Sequence, residues 1–178
     1  MTTKIVPKAA DIASIYFKAQ DLANEKYFIS DIEINKIKDP QKRRKAQDSK
    51  GYKLEAFQHI LASFAIKHKY PYLPVEKLGE ILEKAQEKVK DNYSELDKER
   101  DLENNKIGIA LAKKYKDYKI KDFEDFVKTT EYVIESGDFY TTSKTSNGEL
   151  RKYKTLLSYR DEIKKDKEKE TMPATGPL

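Results

Sequence analysis

A chain of 178 residues is long enough for one domain of ordinary size and hardly for two. It has no cysteine, which excludes disulfides, thiolate metal sites and a cysteine nucleophile, and its 36 basic and 31 acidic residues leave a net charge of only +5. The two signs interleave, as on a salt-bridged helical surface rather than a polyanion-binding patch, and no apolar run approaches the ~20 residues of a membrane span.

Along the chain, apolar residues at helical spacing (Ile12, Ile15, Tyr16, Ala19, Leu22) predict a first helix from about Pro7 to Glu25. Residues 28–38 alternate apolar and polar and read equally as a short strand or a short helix. Asp39-Pro40 opens a charged helix to Asp48, and Ser49-Lys50-Gly51 reads as a break. From Tyr52 to His68 the stripe Leu54, Phe57, Leu61 and Phe64 marks a buried helix, which Tyr70-Pro71-Tyr72-Leu73-Pro74 stops. Val75 to Val89 is expected as the next helix and Asn92 to Leu96 as a turn. A long helix then runs from about Asp97 to Tyr118. Phe123, Phe126, Val127, Val133 and Ile134 predict another, stopped by Ser136-Gly137-Asp138. Residues 139–155 suggest a small β-hairpin about Ser146-Asn147-Gly148. A charged helix follows from Leu156 to Lys169, and a disordered tail over 170–178. The fold class is therefore mainly α: a single-domain bundle of six or seven helices with one small hairpin at most.

The chemistry concentrates in the middle of the chain. Asp101, Asn104, Asn105 and Gly108 stand at i, i+3, i+4 and i+7, one face of a helix. Asn is a weak helix former, and Gly costs about 1 kcal/mol against Ala in a helix interior, so propensity did not put them there. The missing side chain at 108 points to a close approach by another backbone or by a ligand. Glu55 and His59 are four residues apart and can touch, and a carboxylate beside an imidazole is the arrangement of a general base or a metal ligand. Glu87 lies on the helix between. Three successive helices joined by short links tend to be neighbours, so Glu55, His59, Glu87, Asp101, Asn104 and Asn105 are expected to converge. His68, near its helix end, reads as a ring packed against the core.

The segments Glu55-Ala56-Phe57-Gln58-His59-Ile60-Leu61, Ala85-Gln86-Glu87 and Asp101-Leu102-Glu103-Asn104-Asn105-Lys106-Ile107-Gly108 resemble, in that order, three motifs of one family. Those motifs are acidic-Ala-Phe-Arg-His-Ala-Leu, Ala-His-Glu and Asp-Leu-His-Asn-Asn-x-x-Gly. They mark a small helical domain of unknown function found in bacterial polymorphic toxins, wall-associated proteins and proteins delivered by secretion systems. Val133 to Phe139 is similar to that domain's final helix and Gly-containing turn. The resemblance covers about residues 51–140; outside it, the chain reads as an N-terminal helical extension over 1–50 and a hairpin and last helix over 141–169. The chain departs from the pattern at Gln58, Gln86 and Glu103, where the family has arginine, histidine and histidine. One histidine with scattered carboxylates suits zinc poorly. The sequence leaves the metal unknown and names no cofactor.

The leading expectation is a bacterial or phage toxin or effector-like hydrolase acting on cell-envelope polymers or phosphodiesters. His59 would be the general base oriented by Glu55, with Asp101 as a second acid/base or cation holder; Asn104, Asn105 and Glu87 would contact substrate. The protein would stay cytoplasmic in its producer or leave by a signal-independent secretion system. Its partners would be that machinery or a cognate immunity protein. The rival is a non-enzymatic helical binding module (adaptor, carrier or immunity protein) in which the Asn-Asn face is a structural polar network. Nucleic-acid binding through Lys42-Arg43-Arg44-Lys45 is disfavoured by the interleaved acids.

Overall fold

In the computed structural model, which describes residues 9–79, 94–117, 120 and 122–171, the first described element is α1 (Ala9–Tyr27). The short helix α2 (Asp31–Lys36) follows, which settles the ambiguity over 28–38 in favour of helix. The deciding signal is a capping box: the Ser30 hydroxyl accepts from the Glu33 backbone N–H at 3.2 Å, and Glu33 accepts from the Ser30 N–H at 3.0 Å. α3 (Pro40–Asp48) is capped by Asp39, whose carboxylate accepts from the Gln41 and Lys42 N–H groups, with Pro40 in the first turn.

The expected break at Ser49-Lys50-Gly51 does not occur. Ser49–Lys53 forms a π-helical turn in which the Leu54 N–H reaches back to the Ser49 carbonyl, and the chain runs on into α4 (Leu54–Lys69). Gly51 is exposed and Ser49 and Lys50 are part of the turn, so the small polar residues widen the helix instead of ending it.

α4 is the axis of the molecule. From Leu54 to Ile66 every residue except Glu55 is buried. A helix enclosed on all sides buries whatever polar residues it carries, and this one carries Gln58, His59 and Ser63. α1 covers one side through Ala19, Ala23 and Tyr27, the ring of Tyr27 tilting against Phe57 at 5.4 Å between centroids. Residues 75–79 are helical; the rest of the expected helix to Val89, with Glu87, lies outside the described residues.

α5 (Glu95–Lys114) lies along another side of α4. It begins before the expected Asp97 because Ser94 caps it, accepting from the Asp97 N–H at 3.1 Å. α6 (Phe123–Glu135) is capped by Asp122 and stops where expected. The Asp138 N–H bonds to the Val133 carbonyl and the Gly137 N–H to that of Ile134, a Schellman turn with Gly137 at a φ of +71°. Phe57, Ile60, Phe64, Val127, Ile134 and Phe139 are fully or almost fully buried between these helices.

The expected hairpin is present as an antiparallel pair, β1 (Tyr140–Lys144) and β2 (Leu150–Lys152), turning through Ser146-Asn147-Gly148. Its register shifts between the Tyr140↔Lys152 and Lys144↔Leu150 partners. The hairpin expected over residues 139–155 ends at Lys152, because α7 (Tyr153–Thr171) begins at the next residue. Tyr153 stacks on Phe139 at 5.1 Å and 14° and donates to Asp48, which also holds Arg160. The fold is mainly helical with one small sheet, as expected from the sequence.

Candidate functional site

The α4–α5 seam brings four of the sequence candidates together: Glu55, His59, Asp101 and Asn105. Gly108 is what allows it: a Cβ there would meet the Phe64 nitrogen and the Ser63 Cβ at 2.9 Å each, with the Ile60 carbonyl oxygen closer still. The two backbones touch at this point, so the missing side chain answers to a helix and not to a ligand.

With the helices this close, one polar cluster forms across them. The Ser63 hydroxyl donates to Asn105 Oδ1 at 2.7 Å, and His59 Nδ1 lies 3.3 Å from the same oxygen. An amide oxygen only accepts, so Nδ1 carries the hydrogen and, in the neutral ring, the lone pair sits on Nε2. Nε2 faces two carboxylates: Asp101 Oδ2 at 3.5 Å and Glu55 Oε2 at 3.9 Å. The other oxygen of Asp101 accepts from Arg100 Nε at 2.8 Å, and Arg100 Nη1 lies 3.1 Å from Asp97. Burial pulls the Arg100 guanidinium down from its ordinary pKa. The charge and hydrogen bond of Asp101, with the charges of Glu55 and Asp97, outweigh that and raise it.

Exposure separates these residues into two groups. His59 and Asp101 are 3% and 2% exposed, whereas the Glu55 side chain is 31% exposed and forms the cluster's contact with solvent. A cavity of about 20 Å³, room for about one water molecule, lies beside Tyr16, His59, Ser63, Leu78, Gly79 and Asn105.

Asn104, placed by the sequence among the substrate contacts, bonds to the hairpin. It is fully buried, its Nδ2 donates to the Tyr140 carbonyl at 3.2 Å and its Oδ1 accepts from the Tyr140 N–H at 2.8 Å. One side chain thus completes the first residue of β1 as a strand partner would, and ties the hairpin to α5. Asn105, also placed by the sequence among the substrate contacts, orients His59 and accepts from Ser63.

Arg100 and Ser63 were not among the sequence candidates. Arg100 had a signal, standing next to Asp101 and three residues after Asp97. Ser63 stands four residues after His59, within the otherwise apolar run from Ile60 to Ile66, which marks the same face. His68 packs edge-on to Phe126 at 5.3 Å and Phe64 at 6.4 Å, as the sequence suggested. A wider open hollow of about 550 Å³ lies between Arg44, Asp48, Tyr52 and Arg160, where Asp48 already engages Arg160 at 2.7 Å.

No protein-family model matches the chain, and neither curated proteins nor solved structures yield a match. Among the described residues, no helix is long and apolar enough to cross a membrane.

Proposed function

We propose that the chain is a toxin- or effector-like helical domain whose chemistry is hydrolytic and centred on His59. The observation that carries this reading is an imidazole nitrogen within 4 Å of two carboxylates supplied by different helices, one of which reaches solvent. In this geometry His59 Nε2 takes a proton from a water arriving on the Glu55 side. Glu55 and Asp101 stabilise the resulting imidazolium, and Asn105 holds the ring in the productive tautomer. Arg100 fixes the orientation of Asp101. Asn104 positions the hairpin beside the cluster. The substrate classes are those of the sequence expectation, cell-envelope polymers or phosphodiesters.

A second reading has its own support. The near-complete burial of His59, Asp101 and Asn104 is what a polar network locking helix register requires, in a binding module with no reaction of its own. Expression in a bacterial host, in the cytoplasm or directed to the periplasm, separates the two. The hydrolytic reading expects growth inhibition that Glu55→Gln and His59→Ala abolish, with the thermal midpoint of Glu55→Gln unchanged. No inhibition in either compartment, together with a His59→Ala variant that fails to fold, supports the network and removes the hydrolase.

A further inference from the structure

We infer that Glu55, His59 and Asp101 form a seat for one first-row divalent cation, Zn²⁺ or Mn²⁺. Cation binding stands on the geometry alone; any part it plays in hydrolysis rests on the preceding reading.

In sequence the carboxylates look scattered. In the fold, Glu55 and His59 come from successive turns of α4 and Asp101 from α5, and one ligand atom from each lies within 4.8 Å of the others. Metal–ligand bonds of ~2.0–2.2 Å place neighbouring ligand atoms on the order of 3–4 Å apart around an ion. The separations of 3.5 Å from His59 to Asp101 and 3.9 Å from His59 to Glu55 have that spacing. They are wider than the ~2.7–2.9 Å at which a charged N–H binds a carboxylate directly.

The surrounding groups complete the arrangement. Asn105 accepts the Nδ1 hydrogen of His59, the tautomer a metal-binding Nε2 needs, and such outer contacts set ring orientation in metal sites. Arg100 occupies one oxygen of Asp101 and leaves the oxygen nearest His59 directed at the imidazole. Among the described residues, the carboxylates of Glu55, Asp97 and Asp101 gather against the guanidinium of Arg100, an acidic setting that suits a divalent ion. An imidazole with two carboxylates favours zinc or manganese over magnesium or calcium, which take oxygen ligands alone. With Nε2 on the ion, activation of water would pass from the imidazole to the cation.

The test uses the full chain, stripped with a chelator and titrated with Zn²⁺ by calorimetry, then with Co²⁺ while its visible absorption is followed. The expected result is one equivalent of Zn²⁺ and ligand-field bands from bound Co²⁺. Glu55→Gln, at the exposed edge of the cluster, is expected to weaken Zn²⁺ at least tenfold with an unchanged circular dichroism spectrum. His68→Gln, altering the other of the two histidines, is expected to bind as the parent does. Absence of binding by the folded parent, undiminished binding by Glu55→Gln, or loss of binding in His68→Gln would each overturn the proposal. Binding without any growth inhibition leaves the cation seat standing and sinks the hydrolytic reading alone.

Discussion

Substituting Gly108 with alanine sets two effects of opposite sign against each other. Alanine is favoured over glycine in a helix interior by about 1 kcal/mol. If α5 were free at that point, the variant would be more stable than the parent. It is not free: the added methyl would stand 2.9 Å from the Phe64 nitrogen and from the Ser63 Cβ, and nearer still to the Ile60 carbonyl. Two of these neighbours are backbone atoms of α4, which cannot rotate aside. Ordinary contact needs roughly 3.5–4 Å between such atoms, so α4 and α5 must part by about half an ångström or more. Overpacking of this kind costs about 1–3 kcal/mol. Parting the helices also stretches the Ser63–Asn105 and His59–Asn105 contacts, and each buried polar group left short of a partner adds about 1–3 kcal/mol. The net expectation is a loss of about 1–4 kcal/mol. At about 2–4 °C per kcal/mol for a chain of this size, that is a drop of several degrees in the thermal midpoint. Urea denaturation followed by circular dichroism measures it directly. A Gly108→Ala protein equal to the parent or more stable would mean that the backbones do not meet here, and the account of the α4–α5 seam would fall with it.

Asn104→Ala should cost roughly 2–4 kcal/mol, because both backbone polar groups of Tyr140 lose their partner at once; hydrogen exchange should quicken in β1 before it does in α4, and uniform exchange across both would contradict the tie. Burial, then the neighbouring charge of Asp48, pushes the Tyr153 hydroxyl up from 10.0 to about 12. Its contribution to stability is therefore whole below pH 10 and declines as the pH rises from 10 to 12. Tyr153→Phe should make the alkaline limb of a stability–pH curve shallower, and an unchanged limb would refute the assignment.

The sequence discloses most where one physical cause acts alone. The enclosed stripe of α4 and the Asn-Gly turn of the hairpin each follow from a single rule, and each is found where expected. The stop at Gly137 is another such case. Ser49-Lys50-Gly51 misled because a composition that interrupts helices elsewhere is tolerated within one here, held by the packing of α3 and α4 on either side. At the site, the convergence of Glu55, His59, Asp101 and Asn105 was legible from spacing and helix adjacency, because helical periodicity fixes a face. The duty of Asn104 was not, since its partner lies 36 residues on, in a strand whose position relative to α5 no local pattern encodes. Arg100 was obscured by a chain so rich in charge that one more arginine carries no distinction.

The π-helical turn at Ser49–Lys53 has a bearing on how the chain could be remodelled. One residue beyond a regular α-turn swings everything after it by roughly 100° about the axis. The turn therefore sets the rotation at which Asp48 meets Tyr153 and Arg160 while Leu54 enters the core. Removing Gly51 would leave a smoother rod and a wrongly indexed one: either the carboxylate at 48 would leave its clasp on the last helix, or the apolar side of α4 would turn from its neighbours.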